Sequence, residues 1–108
     1  MKNRARIQGH AVVSYERTLK MGGDAVYHSG ISAKAWALHR IAVLSAKIAK
    51  HHTDRQAAYL NRGKATYPQT TSIYKFRNKS HEAIARMKAE YPKVRDLSGR
   101  LLYGIIEE

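Results

Sequence analysis

The chain has 108 residues, with 20 Lys+Arg against 8 Asp+Glu, a formal charge of +12 and a pI near 10.2. One domain is predicted, because 44% hydrophobic residues at this length suffice to bury roughly 60–70% of the unfolded surface. The absence of cysteine excludes a disulfide framework, thiolate zinc sites and thiol catalysis, and it fits a reducing, cytoplasmic compartment.

Apolar runs such as Ile41-Ala42-Val43-Leu44 fall far short of the roughly 18–20 residues of a membrane span, so no membrane partner is expected. Residues 1–10 are basic and lead into no apolar segment, which predicts a flexible basic arm and no secretory leader. The charge is uneven. Residues 1–81 form a basic section holding 15 Lys+Arg and only Glu16, Asp24 and Asp54 as acids, whereas residues 82–108 carry five of each sign and are neutral. Ordinary surfaces intersperse both signs, so this excess predicts an anionic partner.

In chain order, Ala11–Tyr15 and Ala25–Ser29 are rich in β-branched and aromatic residues and flank Gly22-Gly23-Asp24, the pattern of a β-hairpin. The competing reading is a short helix on Val12, Val13, Glu16, Leu19 and Lys20, with Glu16 four residues before Lys20. Ser29 or Ser32 then suits the N-cap of a helix over about 32–51, in which Leu38, Ile41, Leu44 and Ile48 form the inward stripe. Its opposite arc holds Arg40, Lys47, Lys50 and His51, with Trp36 and Val43 among them.

Thr53 and Gln56 have capping-box spacing, predicting a new short helix to Arg62, closed by Gly63. Tyr67-Pro68 forces extended backbone, so 63–71 reads as a loop. Ser72–Phe76 alternates and fits either a short strand or the approach to a helix capped by Asn78 or Ser80 that ends before Pro92. A last helix over 94–106 follows from the stripe Val94, Leu97, Leu101, Leu102, Ile105 and Ile106, which could equally serve a homodimer. The predicted fold is therefore one compact, mainly α domain of three to four helices, with α+β as the alternative if the N-terminal hairpin forms.

No grouping of residues announces catalysis. The six histidines include no pair at helical i, i+4 spacing, and neighbours such as His51-His52 point about 100° apart on a helix, so neither a metal nor another cofactor is expected. A metal-independent ribonuclease using His with Lys or Arg is the minor enzymatic alternative to a non-enzymatic protein. A helix-turn-helix over 54–75 fails because Pro68 would fall in its second helix.

Cations position phosphates while aromatic faces stack on bases. The leading expectation is accordingly a nucleic-acid binder, DNA or RNA, contacting phosphates through Arg40, Lys47, Lys50, His51, Arg55, Arg62 and Lys64, with Trp36 and Val43 as stacking or apolar anchors. The rival expectation is a small basic inhibitor or adaptor, of the kind mobile elements encode, that docks the same residues on an acidic surface or nucleic-acid channel of a larger protein.

Overall fold

A computed structural model describes residues 4–21, 30–63, 66–95 and 98–105. Three helices account for most of them: α1 (Arg4–Met21), α2 (Ala33–Asn61) and α3 (Thr70–Glu90), followed by a 3-10 turn at Leu102–Ile105. The protein is mainly helical, with no strand among the described residues, and Arg95 and Leu101 form an isolated antiparallel bridge. None of these helices is long and apolar enough to cross a membrane.

α2 is the axis of the molecule. Its 29 residues span about 43 Å at 1.5 Å per residue, most of the 50 Å longest dimension. It begins where the serine signal places it: Ser32 is extended (φ −64°, ψ 151°) and its hydroxyl accepts from the Ala35 amide at 3.1 Å. It ends at Arg62, beside Gly63 at φ +80°, the left-handed position that closes a helix. The predicted break at Thr53 does not occur. No Gly or Pro interrupts 33–62, the Thr53 hydroxyl donates back to the Ala49 carbonyl at 2.8 Å, and Gln56 donates to the Thr70 hydroxyl instead of reaching back to Thr53.

α1 and α3 flank α2 and run antiparallel to it, with most interhelical packing on those two pairs. Buried Val12, Leu38, Ile41, Ile48, Ala83 and Met87 join them, and Tyr15, Leu19 and Phe76 pack at the edge. Small residues let α3 approach closely: the buried Ser80 hydroxyl donates to the Ala42 carbonyl at 2.9 Å. Lys79 reaches across to Glu16 at 2.6 Å and ties α3 to α1.

Three sequence expectations are corrected here. Ala11–Tyr15 is helical, as is the supposed arm from Arg4 to His10, because Gln8, Val12, Tyr15 and Leu19 place partly or fully buried side chains on one helical face. The second proposed hairpin strand, 25–29, lies outside the described residues. Ser72–Phe76 belongs to α3, where Ile73, Phe76, Ser80, Ala83 and Met87 recur at helical spacing and override the local alternation. Asn78 and Ser80 are therefore interior residues and not caps.

The expected helix over 94–106 is replaced by a turn. Gly99 at φ +87° reverses the chain, Arg95 donates to the Gly99 carbonyl at 2.8 Å, and the Leu102 amide donates to the Val94 carbonyl at 3.1 Å. Leu102 is buried in the core, with Tyr91, Val94 and Tyr103 packed against it. The described residues of 94–105 thus form no continuous helical seam of the kind that could have served a homodimer.

One core position is not optimal. Ser45 is fully buried on α2, and its Oγ has no hydrogen-bond partner among the described residues. Burying an unpaired hydroxyl costs about 1–3 kcal/mol, and alanine is also the better helix former. Ser45→Ala is expected to raise stability by about 1–2 kcal/mol in urea unfolding. A loss of stability would show that the hydroxyl has a partner after all.

Candidate functional site

A cleft of about 660 Å³ opens where the N-terminal part of α1, the C-terminal half of α2 and the start of α3 meet. α2 contributes Ile48, His51, His52, Arg55 and Tyr59. α1 contributes Arg6 and Gly9, and Tyr67–Gln69 with Ser72 and Phe76 complete the wall. Among the described residues no carboxylate lines it. Its basic lining residues are Arg6, His51, His52 and Arg55, so their potential favours an anion.

The floor is an aromatic cluster. Tyr67 is buried, its ring meets Tyr59 edge-on with centroids 5.0 Å apart, and its hydroxyl lies 2.7 Å from His52 Nδ1. His51 in turn packs edge-on to His52 at 5.1 Å. Burial pushes the His52 imidazole below the usual 6.5, and the like charges of His51 and Arg55 push it further in the same direction. With its proton on Nε2, the neutral ring accepts a hydrogen bond from the Tyr67 hydroxyl at Nδ1.

This arrangement makes stability depend on pH with a definite sign. Because the folded-state value lies below that of the unfolded chain, the unfolded chain takes up the proton first as pH falls. The contribution of His52 is therefore fully present above about pH 6.5 and is lost as pH drops through the folded value. Urea melts between pH 5 and 8 are expected to show a shallower acid-side decline for His52→Gln than for the parent. An unchanged slope would remove His52 as its source.

Of the residues expected from sequence, the structure brings His51 and Arg55 into the cleft. Lys47 and Lys50 are exposed on α2 and do not line the cleft, Lys50 pairs with Asp54 at 3.1 Å, and Arg62 is exposed at the helix end. Lys64 lies outside the described residues. Arg40 sits 5.9 Å from the Trp36 ring, which is half-buried, packed against the core and 5.1 Å from His39. Val43 is also half-buried, so neither apolar anchor stands free on the surface.

Sequence reasoning did not single out Arg6, Gly9, His52, Tyr59, Tyr67, Gln69, Ser72 and Phe76 as site residues. The signal available was the helical spacing of α1, which carries Arg6 to the cleft instead of leaving it on an arm. A shallower groove between α2 and α3 collects Lys50, Arg77 and His81. Further cations flank rings on α3, with Lys75 and Lys79 within 5.9 Å of Phe76 and Arg77 5.8 Å from the exposed Tyr74. Among the described residues, no three of His, Cys, Asp and Glu stand close enough together to hold a metal ion. Comparison of the chain with protein-family models, curated proteins and solved structures gave no match.

Proposed function

We propose that the chain is a small, non-enzymatic nucleic-acid-binding protein. The observation that carries this reading is the cleft, whose described lining holds no carboxylate and sets Arg6 and Arg55 with Tyr59 and Phe76. Guanidinium groups suit phosphates and aromatic rings suit bases. Exposed Lys47, Lys50, Arg62, Lys75 and Arg77 extend the cationic surface along α2 and α3. If about five phosphates are neutralised, the logarithm of the affinity falls against the logarithm of salt with a slope of roughly −3.5 to −4.5. Fluorescence anisotropy with labelled RNA and DNA across a salt series measures this, and a slope near zero sinks the reading.

A second reading, a basic inhibitor or adaptor of a larger nucleic-acid-processing protein, draws on the outer face of α1. There Ile7, Val13 and Met21 stand 68%, 47% and 83% exposed among Arg6, His10, Arg17 and Lys20. Exposed apolar side chains ringed by one sign of charge suit a protein surface of the opposite sign. Under this reading, capture of the partner survives nuclease, depends mildly on salt, and is lost on Ile7→Ser with Met21→Ser.

A further inference from the structure

The cleft is more specific than a basic surface, and we propose that it is a pocket for a single unstacked nucleotide, its base against Tyr59 and Phe76 and its phosphate among Arg6, His51 and Arg55. The inference rests on the nucleic-acid reading above and names the ligand of that same site. Four features support it.

The volume, about 660 Å³, falls within the roughly 300–1,000 Å³ of pockets that enclose small ligands. A duplex keeps its bases stacked inside and could present only backbone to such a cleft. The rings are held in place: Tyr67 is anchored by His52 and abuts Tyr59, and Phe76 packs against the core while Lys75 and Lys79 lie near it. Polar recognition is available at the rim, where Ser72 donates to Gln69 Oε1 at 3.3 Å, so the Gln69 amide nitrogen can donate to a base carbonyl or ring nitrogen. Finally, no carboxylate stands among the described lining residues, which disfavours an amine or other cationic ligand.

Gly9 provides the means of testing this. It lies in the wall contributed by α1, and a Cβ added there meets no atom within 4 Å, so a larger side chain can enter the cleft space without displacing the backbone. Alanine or phenylalanine at this helical position also removes the entropic penalty of glycine.

The experiment is calorimetry with adenosine 5′-monophosphate, adenosine and inorganic phosphate, together with anisotropy on a labelled five-nucleotide single strand and a duplex. The variants are Gly9→Phe, Leu60→Ala and Gln69→Ala, each checked for helicity and thermal unfolding. The parent is expected to bind the monophosphate at least tenfold more tightly than adenosine or phosphate. Gly9→Phe is expected to lose at least tenfold for the monophosphate and the single strand while duplex affinity stays within about twofold. Leu60→Ala, at an exposed residue that does not line the cleft, retains parental affinity, and the exposed Gln69→Ala loses about threefold or more.

Binding of the monophosphate but not the strand assigns the pocket to a free nucleotide, and binding of both assigns it to a nucleotide within a chain. Inorganic phosphate bound as tightly as the monophosphate, or a folded Gly9→Phe that binds like the parent, overturns the pocket while leaving salt-dependent binding intact. A protein that binds neither oligonucleotide under any salt condition overturns the nucleic-acid reading itself.

Discussion

Truncating Leu38 to alanine is expected to destabilise the protein by about 2–5 kcal/mol, the range for removing a buried leucine whose neighbours cannot fully collapse. Leu38 is 1% exposed and lies on α2 between the two flanking helices, in one cluster with Val12 of α1, Ala83 and Met87 of α3, and Leu102. The hole would therefore open on several elements at once. Domains of this size are stable by only about 5–15 kcal/mol, so thermal unfolding should fall by 10 °C or more, on the order of several degrees per kcal/mol. Leu60→Ala, at a residue 58% exposed near the end of the same helix, is the control and should stay within about 0.5 kcal/mol. Equal effects from the two would show that the core is not closed around Leu38.

Reversing the charge at the cleft should have the largest effect on binding. Arg55→Glu removes a guanidinium from the basic lining and inserts a carboxylate into the cleft shared with Arg6, His51 and His52. Charge-assisted hydrogen bonds contribute about 1.5–3 kcal/mol, so an affinity loss of about 10–100-fold is expected for single-stranded nucleic acid, with the salt slope reduced by about one. Lys50→Glu should be milder, because Lys50 is already paired with Asp54. Arg86→Glu, which breaks an exposed pair with Glu90 away from the cleft, should change affinity less than twofold. Matching losses at Arg55 and Arg86 would mean that net charge, and not the cleft, governs binding.

What was legible in the sequence was local chemistry. Ser32 opens α2, Gly63 closes it, and Pro92 follows the end of α3 because caps, left-handed glycines and prolines act within a few residues. The errors arose where a local signal met a tertiary one. Thr53 carries a capping-box spacing but sits in uninterrupted helix, where its hydroxyl bonds to the preceding turn. Ser72–Phe76 alternates like a strand, yet Ile73 and Phe76 continue a stripe that becomes visible only when Ser80 is counted as part of the buried face. The stripe over 94–106 is real as apolar content, but Gly99 folds it back so that Leu102 fills the core.

The cleft was legible only in part. His51 and Arg55 lie four residues apart on one helix face, so α2 alone could suggest them. Arg6, Tyr67 and Phe76 reach the same cavity from three separate segments, and their meeting depends on α1 and α3 both running antiparallel to α2. No pattern within any one of those segments encodes that arrangement.

The unequal burial of α2 has a dynamic consequence. All its buried residues fall between Ala35 and Ala49, and none lies in the three turns from Lys50 to Asn61. Amide hydrogens in the first half can exchange with solvent only when the three-helix core opens, whereas those of the second half exchange through local fraying, at a small fraction of that free energy. The cleft is built largely on this less buried half. Any ligand that bridges it to α1 and α3 would slow exchange from His51 to Tyr59 first, so the order in which amides become protected is itself a record of what occupies the cleft.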